Sequence, residues 1–480
     1  MSIIFKKIIF GSLFSSILFF SCEKSLLDTT PESSLSSSTI FSTAKRIDGL
    51  VNGAYDALKS ASLYGGRYLL YLDVRGEDFI NVTGNVYTAY ESWTNSYTSG
   101  SNDVNNLWTA AYSTINDANI ILNGLGSLSE GIISDSLKLQ YIGEAKFLRA
   151  LSYYSLVSIY AEPYNKDQGA SAGLPLRLEA EVNSDNNNLA RSTVKEVYTQ
   201  ILSDLDSAEL LLPNKYSTDL LNTTHAHKST AIALKTRVYL NQNDFDNTIK
   251  EAQKLVPQTS APFSTTFGVL HALQSDITNI FSSNYTTTES IFSTPSTTSD
   301  SYSGQSAIGY IYYVNKEYYL NPSGILNTSI WSSTDNRRNL LSLSGSQYLL
   351  KKYSKSSPYV DYIPVIRFSE VLLNYAEAEA QLGNLSLALN LLNAVHQRSD
   401  ANYQFANSLV STKDSLIATI WKERRIELLG EGFRSNDLLR NLLTIPAKGS
   451  SSLQASSVAP TDENYIFPLP NNEISTNKDL

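Results

Sequence analysis

The sequence predicts a mainly α-helical fold: one domain of helical hairpins carrying two long irregular excursions and a few short strands. Three observations predict it. Apolar residues recur every three or four positions over most of the chain. Two stretches show the Ala/Leu/aromatic spacing of tetratricopeptide-type hairpins, and two other stretches lose periodicity altogether.

The periodic segments come first in chain order. Ala44, Ile47, Val51, Ala54, Tyr55 and Leu58 mark one amphipathic helix, and Val104 to Leu125 a second. A third runs from Tyr141 to Ile159 and ends near Pro163, which cannot continue a helix. Further helices are expected over Thr193–Leu211, Lys228–Leu240, Phe245–Val256, Phe368–Leu382, Leu385–Arg398 and Asp414–Leu429. Ile232 to Leu255, turning at Asn241–Asp244, and Leu372 to Val395, turning at Gly383-Asn384, read as the hairpins. They stand far apart in sequence, so no continuous solenoid is expected.

Periodicity lapses over about 65–100 and 263–359, where Ser, Thr, Asn, Gly and Tyr dominate and short strand-like runs such as Ile308 to Val314 occur. Both excursions are too long to be simple connectors. Loops on a rigid scaffold are where binding groups concentrate. These two carry Tyr87, Tyr90, Trp93, Tyr97, Tyr302, Tyr310, Tyr312, Tyr313, Tyr318, Tyr319 and Trp331.

Composition narrows the function. The 480 residues are 42% hydrophobic and only 17% charged, so uncharged polar groups and the hydroxyls of 30 Tyr are expected to keep the surface wet. A net charge of -9 offers no basic footprint for a phosphate backbone, which argues against nucleic-acid binding. One Cys excludes an internal disulfide and a Cys-based zinc site. His225-Ala-His227 would share one face only on a strand, and a helix start follows it; a cap or loop is expected there, with no metal and no cofactor.

The N-terminus reads as a targeting segment. Lys6-Lys7, an apolar stretch from Ile8 to Phe20 and the abrupt change at Ser21-Cys22 have the anatomy of a signal peptide over 1–21. A small residue before a lone Cys at that point resembles a bacterial lipobox. Cys22 is therefore the expected lipidation site, 22–42 a flexible tether, and 43–480 the folded domain.

Glu423 and Glu427, in the run Trp421-Lys-Glu-Arg-Arg-Ile-Glu, share a helix face and could pass for an acid and base pair. Arg424, Arg425, Arg434 and Arg440 stand near enough to ion-pair with them and lower their pKa values, whereas a glycosidase needs one carboxyl kept protonated. Structural ion pairing is the expectation. No nucleophile elbow or phosphate-cradling loop is present.

Read in order, the pieces resemble the SusD/RagB family of surface lipoproteins over nearly the whole chain. They are the lipoprotein start; Leu107-Trp108 with Tyr112, Ile115 and Ala118-Asn119; Glu144-Ala-Lys-Phe-Leu-Arg-Ala-Leu-Ser-Tyr-Tyr154; and Leu174-Pro175-Leu176. Val365-Ile-Arg367-Phe-Ser-Glu370 through Glu377, Glu423 to Arg440, and Tyr465-Ile-Phe-Pro468-Leu-Pro470 follow. The resemblance implies a lipid-anchored protein of the cell outer membrane, facing outward. It would capture oligosaccharides or, in some members, peptides without catalysis, and lid a SusC-like TonB-dependent transporter. The motif residues themselves would be structural. Stacking of apolar sugar faces on Trp and Tyr rings, with hydroxyls meeting polar side chains, is the chemistry such a binder needs. Trp93 is the leading candidate contact, with Tyr97, Asn95, Tyr90 and Trp331 beside it. Two other classes compete: a surface glycan-degrading enzyme, and an adaptor that binds only proteins.

Overall fold

The computed structural model describes residues 37–183, 186–282 and 285–480. The expected signal peptide, the expected lipidation at Cys22 and the expected tether as far as residue 36 lie outside the described residues. The nine helices expected from periodicity are all present, among them Ala44–Leu58, Asn102–Gly126, Asp135–Tyr160, Val194–Leu211 and Lys413–Glu427. Side-chain caps fix several starts. Thr43 accepts from the Arg46 N–H, Ser134 from Leu137, and Thr193 forms a reciprocal capping box with Glu196. Among the described residues no helix is long and apolar enough to cross a membrane.

The two tetratricopeptide-like hairpins, Lys228–Asn241 with Phe245–Leu255 and Phe368–Gln381 with Leu385–Ser399, turn as expected. Gly383 takes φ +90°, a left-handed conformation that favours glycine, and the Asn384 side chain caps the next helix. The hairpins are neighbours in space despite their sequence separation. Arg237 lies in the seam with its Nε and Nη2 donating to Glu370, at 2.6 and 2.7 Å, and Asn374 donates to Thr236 at 3.0 Å. Helix pairs therefore do stack in a row, with the second excursion looped out between them.

A helix not anticipated, Arg67–Arg75, opens the first excursion. Tyr68 through Arg75 are all buried, and nine residues are fewer than the 11–18 over which a helical period is read. Its C-terminal carbonyls are capped by a remote cation: the Lys448 ammonium lies within 2.7 Å of the Val74, Arg75 and Gly76 oxygens. The run Ile308–Val314, expected as strand, instead contains a π-helical turn, Tyr310–Val314, with Ile311 and Tyr312 inward. β-Branched and aromatic residues raised the strand reading, but burial against the core decided the outcome.

Strands are short and pair only two by two among the described residues. β1 (Phe79–Asn81) pairs antiparallel with β3 (Tyr318–Leu320), placing Ile80 opposite Tyr319. β2 (Ser290–Thr294) pairs with β6 (Ile363–Arg367), and β4 (Leu341–Ser344) with β5 (Gln347–Leu350). The first pairing joins the two excursions to one another. The second closes the long excursion back onto the helix Phe368–Gln381.

Where β2 and β6 meet the helices, ionised groups are sealed together. Arg367 binds Glu289, Glu427 and Glu431 at 2.6, 2.9 and 2.7 Å, and Arg398 reaches Glu289 and Glu427 at 2.8 and 2.6 Å. Arg337 links Asp335, Glu423 and Glu427; Lys352 holds Glu431 at 2.6 Å; His396 meets Glu423 at 2.7 Å. Burial alone would push the Glu427 carboxyl up, but Arg398, Arg367 and Arg337 outweigh it and hold it well below the ordinary range. Glu423 is lowered too: burial opposes ionisation, and Arg337 and His396 overcome it. The expectation of ion pairing is met, with different partners. Arg424 and Arg440 turn to Asp437, Arg425 to Glu77 and Asp78, and Arg434 to Glu77.

Tyr also departs from expectation, since nearly half of the 30 are buried rather than on the wet surface. Their rings enter the core while their hydroxyls satisfy loop carbonyls, as Tyr153 does for Arg177 at 2.8 Å and Tyr353 for Gly430 at 3.0 Å.

Arg367→Ala strands three carboxylates without their shared cation. The expected loss is about 3–5 kcal/mol of folding stability, read from urea unfolding; a loss near that of an exposed ion pair would show that the cluster does not hold the fold.

Candidate functional site

The first excursion is pinned from beneath. Arg75, fully buried, donates to Tyr97 Oη at 2.8 Å, Ser435 Oγ at 2.8 Å, Asn95 Oδ1 at 3.3 Å and the Tyr465 carbonyl at 2.6 Å. Trp93 is 0% exposed and its indole N–H donates to the Phe79 carbonyl at 2.8 Å. These contacts overturn the leading sequence choice. Trp93, Asn95 and Tyr97 are structural pins, because an enclosed ring with a satisfied N–H has no face left for a ligand. Trp331 is buried as well, with the Arg338 guanidinium 4.2 Å from its ring. Tyr90, stacked on Trp93 at 6.0 Å, is half-buried and alone of the five keeps part of its ring at the surface.

What those pins support is a surface. The β1–β3 pairing continues as the Val82 N–H donates to the Glu317 carbonyl at 3.0 Å. The Glu317 carboxylate, fully buried, accepts from Thr83 Oγ1 at 3.1 Å and Asn315 Nδ2 at 2.8 Å, and from Thr88 Oγ1. Over this anchor stand exposed apolar groups: Val82, Val86 and Tyr87 from the first excursion, the last 61% exposed, and Val314 from the second. Alternation along β3 turns Tyr318 inward, its hydroxyl on the Thr88 carbonyl, and leaves Tyr319 half-exposed. The β4–β5 hairpin packs against β3 and sets Leu343 directly opposite Tyr348, at 62% and 40% exposure. Lys316 ties the parts together through Ser344 Oγ at 3.2 Å. An exposed patch of aromatic and aliphatic side chains held by buried polar anchors is a candidate binding surface.

Tyr87 and Tyr319 were among the excursion aromatics in the sequence; Tyr348 and Leu343 were not singled out. The available signal was the alternation Leu341, Leu343 and Tyr348, Leu350 around Ser344-Gly345-Ser346, a hairpin pattern that puts these four apolar residues on one face.

A second concavity, about 470 Å³, lies between Asn102–Gly126 and the C-terminal residues, lined by Trp108, Asn116, Asn119, Arg177, Glu181 and Glu473. Its polar groups serve one another. Trp108 Nε1 donates to Glu473 at 3.3 Å, Arg177 binds Glu473 at 3.1 Å, and Asn116 exchanges two hydrogen bonds with the Glu181 backbone. Asn119 donates to the Arg177 and Glu179 carbonyls. This is a seam that closes the C-terminus onto the scaffold, and it agrees with a structural role for the Trp108 and Asn119 motif residues.

Burial pushes the carboxyls of Asp73, Asp103 and Glu144 up to about 8, 7 and 7, values suited to a proton donor. These three are enclosed. Asp117, half-buried on Asn102–Gly126, is pushed up to about 6 by the same cause. Among the described residues no group of three or more His, Cys, Asp or Glu could hold a metal ion. His225 caps the helix Asp219–Thr224 and His227 stands at the start of Lys228–Asn241, its ring stacked on His271 at 5.3 Å. Burial lowers these two imidazoles to about 3 and 4.

The geometry so far is a helical scaffold with an exposed aromatic and aliphatic patch. Comparison with known proteins supplies its relatives. A family profile described as "Starch-binding associating with outer membrane" matches residues 25–240, and one described as "SusD family" matches 271–480. A SusD superfamily protein of Bacteroides fragilis shares 32% identity and superposes with a TM-score of 0.82 over 92% of this chain and 99% of its own. SusD-like protein P2 of Formosa agariphila is 26% identical across 95% of each chain. A structure titled as a laminarin-binding SusD-like protein shares the fold at 20% identity, TM-score 0.69, over 91% of this chain and 98% of its own. The chain belongs to the SusD/RagB family.

Two substitutions separate pin from surface. Trp93→Ala should cost about 3–5 kcal/mol in urea unfolding, whereas Tyr87→Ala should stay within about 0.5 kcal/mol of the wild type. Asp73 gives a pH test. Its folded pKa lies above the unfolded value, so the stability it contributes is present at low pH and lost as pH rises toward about 8. Asp73→Asn keeps an acceptor for the Gly432 N–H, now 2.8 Å from Asp73 Oδ2, and removes the charge. Its stability advantage over the wild type should grow from pH 5 to pH 8 and then level off; a constant difference would show that Asp73 ionises normally.

Proposed function

We propose that this chain is a cell-surface receptor for glycans, held at the outer membrane through acylated Cys22, that passes its ligand unaltered to a SusC-like TonB-dependent transporter. Family membership supports the coarse part, a surface glycan-binding role at the outer membrane. The observation that carries the site is the face formed where β1 and β3 zip the two excursions together. Tyr87, Tyr319 and Tyr348 project there beside Val82, Val314 and Leu343, on backbone fixed by buried Glu317. Sugar rings bury their C–H faces against such rings, while hydroxyls of ligand and protein meet at the rim. A fixed platform spends little conformational entropy on binding. A peptide ligand has less support, because the face carries few charged groups to read termini or side chains.

The reading includes binding without turnover. A glycan array with the soluble domain should return ligands that are recovered intact after prolonged incubation. Tyr87→Ala should weaken the best of them on the order of tenfold. Shortened products that disappear on changing one carboxylate would make the chain an enzyme, and binding of the transporter with no glycan on the array would make it an adaptor.

A further inference from the structure

Between the π-helical turn Tyr310–Val314 and β3 the chain must pass from helix to strand within three residues. The Asn315 N–H donates to the Tyr310 carbonyl at 2.7 Å, and the Glu317 N–H returns to the Ile311 carbonyl at 2.9 Å. Lys316 between them takes φ +54°, the left-handed conformation in which helices commonly end and which Gly or Asn adopts with least strain. Six non-glycine residues have positive φ among the described residues, and Lys316 alone of the six carries a charge. Strain of this kind collects at ligand-binding sites. A lysine serving only solubility gains nothing from a strained backbone.

The position of that cation is fixed by contacts to every part of the face. Lys316 is exposed, between Val314 and Tyr319 in the chain, and its neighbour Glu317 holds the Val82 N–H of the first excursion. Its Nζ donates to Ser344 Oγ at 3.2 Å, and Ser344 pairs with Gln347 one step along the hairpin from Leu343 and Tyr348. β5 packs against both the π-helical turn and β3, the elements on either side of Lys316. Among the described residues the ammonium has no carboxylate partner, because the adjacent Glu317 carboxylate is enclosed on Thr83, Thr88 and Asn315. The chain as a whole stands at -9, but charges more than about 8 Å away are largely screened at physiological ionic strength, so the local cation decides which charge a ligand can bring.

Building on the glycan reading above, we infer that Lys316 reads an anion within this face, and that the ligand class is an acidic glycan whose carboxylate or sulfate group meets Lys316 Nζ and Ser344 Oγ. A hydrogen bond between ionised partners is about twice as strong as a neutral one. A neutral glycan of the same backbone leaves the ammonium with Ser344 alone and binds more weakly.

The test titrates the full-length chain in detergent with matched pairs that differ only in charge: oligogalacturonates against their methyl esters, and sulfated galactan oligosaccharides against their desulfated forms, beside neutral glucans, xylans and mannans. The acidic member of at least one pair should bind on the order of tenfold tighter than its neutral partner. The gap should narrow as NaCl rises from about 0.05 to about 0.5 M, and the pair that shows it tells carboxylate from sulfate. Lys316→Gln, and independently Lys316→Gly, should bring the acidic member down to the level of the neutral one. Gly takes positive φ without strain, so Lys316→Gly should unfold at about the wild-type urea concentration, which separates a lost charge from a lost fold. Equal binding within every pair, binding confined to neutral glycans, or a gap that survives both substitutions overturns the acidic class, while binding that Tyr87→Ala weakens keeps the glycan site. No bound glycan of either kind, or binding indifferent to Tyr87→Ala, removes the site itself and the charge reading with it.

Discussion

The buried ionic cluster around Arg367 and Glu427 is the constraint on which the rest of the structure depends. Groups brought into it come from the start of β2, the end of β6, the turn Asn336–Leu340 and the helices Leu385–Ser399 and Lys413–Glu427. Taking that many charges out of water costs several kcal/mol per ion, and the mutual attraction offsets it only when every oxygen and N–H finds its partner. A nearby arrangement, with one strand slipped or one helix turned, leaves a carboxylate bare. The cluster therefore selects one geometry for the long excursion more than it adds net stability.

That geometry is what the exposed face needs. Once β2 and the turn at Arg337 are fixed, the intervening chain can present β3 to β1, and the first excursion is locked by Arg75, Lys448 and Trp93 from the other side. Both excursions are irregular in outline and sealed at their bases. Aromatic side chains placed on such a base would lose little freedom when a ligand arrives, as the proposed receptor role requires.

The scaffold was legible in the sequence because its helices are long enough to repeat apolar residues at helical spacing. Ile47, Val51, Ala54 and Leu58 bury at the positions their spacing assigns. Arg67–Arg75 was not, since its nine residues between Gly66 and Gly76 are too few to establish a period. The ion pairing of Glu423 and Glu427 was legible in kind, but their partners Arg337, Arg367 and Arg398 lie 29 to 90 positions away and no local rule names them. The site was the least legible. Trp93 and Tyr87 are six residues apart in the same aperiodic stretch with similar polar neighbours, and only the fold decides that one ring is enclosed under Lys448 while the other stands in solvent. Without a period, aromatic content marks a region and cannot separate its pins from its contacts.

The central claim is that buried pins hold a preformed aromatic face that meets the glycan. A crystal structure with an array-identified glycan tests it most directly. The account predicts sugar density over Tyr87, Tyr319 and Tyr348, with Trp93, Asn95 and Tyr97 unmoved between free and bound states. Density in the seam beside Trp108, or a bound state in which Trp93 has left its pocket to stack on the sugar, would contradict it.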